Sequence, residues 1–263
     1  MNGPNEHALD TRLLRFRSRP GSEAALPLAL DLIAASRWSD AVDVATSALA
    51  QKPGDVDLQI AEGRAYMGLG DLIRAQGALL EAAKPGTRKE PFRWLGEVLL
   101  KSEQYENARS KFDKALSMAT ETHDSTLGAQ ALCGLGHCDK AEGRLESALH
   151  YYSKYLDASN ESGQKRGSAR AHMYMGEIHL ALRQQTEAIE HYRAAVDEAR
   201  LGEDHATEAQ ACMELVALYL SAGENGSAEH YRSEGRRAAE EVWRRAELHT
   251  RLQHIGMPAQ SHK

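Results

Sequence analysis

The sequence predicts an all-α protein built as a solenoid of antiparallel helix hairpins, and three observations carry that expectation. Composition favours helix, since only 6% of the 263 residues are aromatic and 7 are proline. No stretch sustains the period-two alternation of β-branched residues that a strand requires. Small residues also recur in pairs twelve positions apart: Ala29/Ala41, Gly63/Ala75, Gly96/Ala108, Gly136/Ala148 and Gly176/Ala188. Val216/Ala228 is a sixth pair in which a larger residue replaces the glycine. Successive first members lie 34, 33, 40, 40 and 40 residues apart, and a third phased position holds Ala48, Ala82, Ala115, Tyr155, Ala195 and Gly235. Small residues at a fixed phase mark close helix approaches, and the long period marks an array of stacked units with a sequential core.

Residues 1–21 are expected to form a flexible arm, basic through Arg12, Arg15, Arg17 and Arg19 and closed by Pro20-Gly21. Leu13, Leu14 and Phe16 are its candidates for docking on the first hairpin. The arm and the following AALPLALDLIAAS imitate a secretory leader, but Asp31 interrupts the apolar run and Trp38 with Ala41 continues it in helical register. Helix pairs are predicted over 23–35/38–51, 55–69/72–84, 90–102/105–120, 124–142/145–160, 164–182/185–201 and 204–222/225–252. Gly68-Leu69-Gly70-Asp71, Ala141-Glu142-Gly143 and Ala222-Gly223-Glu224 supply hairpin turns, because glycine accepts the left-handed conformation there. Pro53-Gly54 and Pro85-Gly86 close the second helices of the first two pairs. The step from 34 to 40 residues predicts longer helices in the last three hairpins than in the first three. The six hairpins are expected over 22–236, followed by a cap over 237–255 and a disordered tail over 256–263. The cap prolongs the small-residue stripe Ala228, Tyr231, Gly235, Ala238, Val242 and Ala246, with Glu240/Arg244 and Glu241/Arg245 as i,i+4 pairs on its exposed face. Trp243 lies off that stripe.

The stretch FRWLGEVLLKSEQYENARSKFDKA, Phe92 to Ala115, shows the plan in full. It resembles the tetratricopeptide repeat, whose pattern runs W-x2-L-G-x2-Y…A-x3-F. Leu95-Gly96 and Ala108-x3-Phe112 match it, and Leu99 stands where the tyrosine would be. The resemblance implies a right-handed superhelix whose concave face is formed by the first helix of each repeat. The longer repeats are similar in spacing to those of spindle-orientation, G-protein-modulator proteins and of bacterial peptide-sensing regulators.

By that resemblance a peptide-binding groove would be lined by Arg64 and Met67, by Arg93, Trp94, Glu97 and Leu100, and by Gln130, Cys133, His137 and Lys140. Arg170, Met173, Tyr174 and Glu177, then Gln210, Met213 and Glu214, complete it. Methionine, aromatic and arginine side chains in one groove suit an extended or helical peptide. Trp94, Met173 and Met213 are also read as possible packing residues. Co-chaperones of this family grip a C-terminal Glu-Glu-Val-Asp with Lys, Asn and Arg, but here Leu26, Leu30 and Ala61 occupy matching positions, so that function is disfavoured.

No Walker loop, G-x-S-x-G elbow or H-E-x-x-H helix occurs, which argues against an enzyme and a cofactor. Among twelve histidines, Cys133 with His137 is the one plausible ligand pair, short of the three or four ligands a zinc site needs. His179 falls where the family places an interhelical tyrosine. The net charge of −6 argues against nucleic-acid or membrane-surface binding. Three cysteines make no disulfide framework, and no apolar run is long enough to span a bilayer. The sequence therefore reads as a cytoplasmic, non-enzymatic scaffold or adaptor for a protein or peptide partner, with no separate effector domain. The alternative is a peptide-responsive regulator or chaperone.

Overall fold

The computed structural model describes residues 6–18 and 22–254, with side chains placed over residues 7–18 and 24–244. The expected tail at 256–263 lies outside the described residues. All regular structure among the described residues is helical. A helix α1 (Glu6–Ser18) precedes the pairs α2 (Ser22–Ala34) with α3 (Trp38–Leu49), α4 (Val56–Gly68) with α5 (Leu72–Ala83), and α6 (Glu90–Lys101) with α7 (Tyr105–Glu121). Then follow α8 (Ser125–Ala141) with α9 (Leu145–Glu161), α10 (Lys165–Ala181) with α11 (Gln185–Leu201), and α12 (His205–Ser221) with α13 (Asn225–His254). The chain divides into two compact units, one running to Lys114 and the other over Ala115–Glu247.

Local chemistry explains where the helices start and stop. Asp55, Asp71, Asp124 and Asp204 each accept a hydrogen bond from the backbone N–H three residues on, capping α4, α5, α8 and α12. Every hairpin turn contains one residue at positive φ: Ser36, Gly70, Glu103, Gly143, Arg183 and Gly223. These six positions repeat the phase of the small-residue pairs. Three of them are not glycine, so the turn is imposed by packing on both sides as well as by local preference. The lengthening of the helices begins earlier than expected: α7, the second helix of the third pair, already has 17 residues, whereas α2 to α6 have 12 or 13.

The small residues meet as their spacing requires. Ala29, Ala41, Ala75, Ala108, Ala148, Ala188 and Ala228 are all buried. A β-carbon at Gly63, Gly96, Gly136 or Gly176 would fall 2.5–2.8 Å from a side-chain carbon of Leu79, Phe112, Tyr152 or Tyr192, respectively. Each of those partners lies sixteen residues further along the chain.

The N-terminal segment departs from the expected flexible arm. Over 6–18 it is helix α1, which buries Leu9, Leu13 and Phe16 against Leu28, Leu32, Val44 and their neighbours, while Leu14 points to solvent. The apolar i, i+4, i+7 spacing of Leu9, Leu13 and Phe16 produces this docked face. Arg12 of α1 bonds Asp31 of α2 at 2.5 Å and Arg37 of the following turn bonds Asp10 of α1 at 2.5 Å, so charged residues expected on a free arm are tied to α2 and its turn. At the other end α13 continues to His254, with Ala228 and Ala238 buried but Val242 and Trp243 exposed. Arg244 pairs with Glu241 one turn back, in place of the expected Glu240. The side chains of Arg245 and Ala246 lie outside the described residues.

Candidate functional site

First helices of successive pairs lie beside one another, α2 against α4 and α4 against α6 in the first unit, and α10 against α12 in the second. Each unit is therefore built so that first-helix side chains from neighbouring pairs share a face.

In the first unit that face gathers Arg64 and Met67 of α4 with Arg93, Trp94 and Glu97 of α6. The Arg64 guanidinium carbon stands 4.6 Å from the Trp94 ring centroid and that of Arg93 stands 3.4 Å from it. Both distances are within cation–π range. Trp94 and Met67 are partly buried against Ile60, Leu79, Leu95 and Val98. They are thus core-facing on one side and open on the other. Arg93 is 9% exposed and donates to Glu97 at 3.4 Å, so much of it is structural. Leu100 is half-buried. Arg64 is half-buried, and burial lowers its pKa. It forms no ion pair or hydrogen bond among the described residues.

In the second unit the predicted residues separate by helix stripe. Arg170, Tyr174 and Glu177 of α10 follow one another at i, i+4 and i+7 and stay at least partly accessible. Lys140 of α8 reaches across to Glu177, and Arg170 approaches the α12 cap Asp204 at 3.5 Å. Gln130, Gln210 and Met213 are exposed, Met213 by 66%, and Glu214 is half-buried.

Two predicted groove residues belong elsewhere. Met173 is buried among Ala188, Tyr192, Ala211 and Leu215, because it shares the α10 stripe of Ala169 and Gly176 that faces the core. His137 is an internal hub: Tyr152 Oη lies 2.8 Å from its Nδ1, and Cys133 Sγ lies 3.4 Å from its Nε2. The Tyr174 ring packs edge-on against it at 4.6 Å. Burial, with a smaller contribution from the Lys140 charge, pushes the His137 pKa down to about 4, so the ring is neutral near pH 7. Burial likewise raises the Tyr152 phenol well above its usual value, keeping it protonated. Neither ring nitrogen of His137 is left for a partner.

One cluster was only half visible in the sequence. His172 and His179 of α10 close on His191 of α11, with His172 Nδ1 3.0 Å from His191 Nδ1 and the His179 and His191 rings stacked at 5.0 Å. His191 sits on a second helix, outside the inner-face positions, and only hairpin register brings it to the other two. Among the described residues, no group of three or more His, Cys, Asp or Glu is arranged to hold a metal ion. No described helix is long and apolar enough to cross a membrane.

Hairpins closed by small residues, in the third to fifth pairs a glycine against an aromatic ring, and stacked through their first helices define a helical-repeat interaction fold. Two family models, both described as tetratricopeptide repeat, match residues 26–91 and 91–161, together more than half of the chain. The chain belongs to the tetratricopeptide-repeat family. No curated protein sequence matches it. Among solved structures it is similar to PilF of Pseudomonas aeruginosa, with a TM-score of 0.64 and 15% identity over 88% of this chain and 97% of that one. It is also similar to the apo form of RapI, with a TM-score of 0.68 and 17% identity over 91% of this chain and 73% of that one. Cut9, from the APC/C Cut9–Hcn1 hetero-tetramer, gives a TM-score of 0.68 and 14% identity over 95% of this chain and 46% of that one. At these identities the likeness is one of fold.

Proposed function

We propose that this protein is a non-enzymatic scaffold that binds a segment of a partner protein on its first-helix faces, and that it works in the cytoplasm. The observation that carries this reading is the meeting of Arg64 from α4 with Trp94 from α6. Two side chains from successive first helices, one charged and one aromatic, form a partly open platform, and such residues dominate binding energy at protein interfaces. In the second unit, Gln130, Arg170, Tyr174, Gln210 and Met213 offer polar and adaptable contacts of the same kind.

The test is affinity capture from the host's lysate, with wild type compared against Arg64→Glu combined with Met213→Glu. Ile73→Glu on α5, a position 85% exposed, serves as the control away from the face. Circular dichroism first establishes that all three are folded. The expected result is a partner retained by wild type and by Ile73→Glu and lost with the double variant, then reproduced with purified components. Equal retention by the double variant would reject the first-helix faces as the binding surface.

The second reading, a regulator whose partner binding changes with an effector peptide, draws on the likeness in fold to RapI and to the Rap protein solved with competence and sporulation factor. An effector-dependent loss of the captured partner would favour it over a constitutive scaffold.

A further inference from the structure

We propose that the Arg64–Trp94 platform of the first unit is a receptor for an Asp or Glu side chain of the partner segment, flanked by an apolar residue. The proposal rests on the first-helix face being the binding surface and adds the chemistry of what it takes. Arg64 is a half-buried cation whose solvation is reduced, and no carboxylate of the described residues pairs with it. The carboxylates of its own helix and Glu97 of α6 are engaged elsewhere: Glu97 with Arg93, Glu62 with the Thr46 hydroxyl, and Asp57 with Arg88 at 2.9 Å.

A desolvated charge without a counter-ion is costly, and an external carboxylate that pairs with it recovers that cost on binding. The guanidinium is also pre-positioned. Its contact with the indole at 4.6 Å restricts its motion, so less conformational freedom is lost when its fork of N–H donors meets a planar two-oxygen acceptor. Met67 and the open side of Trp94 supply an adjoining apolar surface for the neighbouring side chain. Arg93, with its guanidinium carbon 3.4 Å from the same ring centroid, adds positive potential that Glu97 largely balances.

The experiment is selection of a random twelve-residue peptide display library on the immobilised full chain, followed by synthesis of the consensus as an N-acetylated, C-amidated peptide. The expected consensus carries Asp or Glu at one position beside an apolar residue. Changing that acid to its amide, or Arg64→Gln in the protein, should each weaken binding about 10- to 100-fold, the range for a charge-assisted hydrogen-bonded pair. Combining the two changes should weaken it no further, which a general loss of folding would not reproduce. Arg64→Lys, which keeps charge but not the fork, should recover only part of the affinity.

Peptides that lose binding with Met67→Glu yet carry no fixed acid, or ignore Arg64→Gln, would overturn this assignment while leaving the face as a binding surface. Peptides indifferent to both substitutions, or no enrichment over a blank support, would count against the assignment and the face together. A consensus peptide that binds tenfold or more tightly with phosphoserine at the acidic position would reassign the site to phosphate and overturn the carboxylate reading.

Discussion

Gly136 has no room for a side chain, because the carbon an alanine would add falls 2.5 Å from Cε1 of the fully buried Tyr152. The ring cannot swing away cheaply, since its hydroxyl is joined to His137 and its face lies against Tyr174. Gly136→Ala should therefore destabilise the protein by about 1–3 kcal/mol, the usual cost of overpacking a filled core. Gly77, in the middle of α5, has nothing within 4 Å of the same added carbon. Gly77→Ala should stabilise by roughly 0.5–1 kcal/mol, because alanine is the better helix former and restricts the unfolded chain. Thermal midpoints of the two variants check both, and shifts of the same sign would show that close packing is not what selects glycine at the paired positions. This residue-scale rule was legible in the sequence as Gly136/Ala148, and in the Phe92–Ala115 stretch the matching Phe112, sixteen residues after Gly96, was legible as well; the equivalent Tyr152 after Gly136 was not part of the reading. The twelve-residue spacing reports that two backbones approach, while hairpin geometry carries the ring from the one repeat to the others.

Helices were the most legible elements, because their apolar periodicity and turn residues agree with one another over each pair. The predicted α10 and α11 bounds differ from the observed ones by at most a residue. What the pattern could not disclose is how facing helices present their polar residues to each other, and His191 shows the consequence. It touches both His172 and His179, and burial together with those two rings pushes its pKa down to about 4. Burial also lowers His172, with the Glu198 charge opposing it, and Lys165 holds Glu198 at 3.0 Å. His137 is lowered to about 4 as well, in its contacts with Tyr152 and Cys133. A histidine kept neutral by the fold but titrating near 6.5 when unfolded binds more protons in the unfolded state between those two values. Its contribution is whole above about pH 6.5 and is lost as pH falls towards 4. Lowering pH from 7.5 to 5 should therefore weaken the fold by on the order of 1–2 kcal/mol for each of His137 and His191, after allowance for solvent screening. Urea unfolding at the two pH values measures this, and His191→Gln should flatten the dependence. An unchanged pH slope in that variant would show that the α10–α11 contact does not hold His191 neutral.

At the scale of the whole molecule, a chain of hairpins in which each pair contacts mainly its neighbours should lose stability near the site of damage rather than everywhere at once. Two positions, one in each unit, test this. In the first unit, Phe16 of α1 is buried on the α2–α3 pair, and Phe16→Ala removes its ring from that core at about 3–5 kcal/mol. In the second, the buried Glu208 of α12 accepts hydrogen bonds from Arg200 of α11 at 3.0 Å and Arg237 of α13 at 3.1 Å, joining three helices through one carboxylate. Glu208→Gln leaves both guanidiniums without their charged acceptor there; the exposure of the arginines keeps the cost to roughly 1–3 kcal/mol, below that of a fully buried pair. Hydrogen exchange followed by mass spectrometry is the appropriate readout, because it resolves loss of protection helix by helix. Phe16→Ala should speed exchange in α2 and α3 while α10 to α12 keep their rates, and Glu208→Gln should do the reverse. Uniform acceleration across all helices in either variant would mean that the chain opens as one cooperative body. In that case the platform at Arg64 and Trp94 would share its stability with every other hairpin, and a partner bound there would stabilise the second unit as strongly as the first.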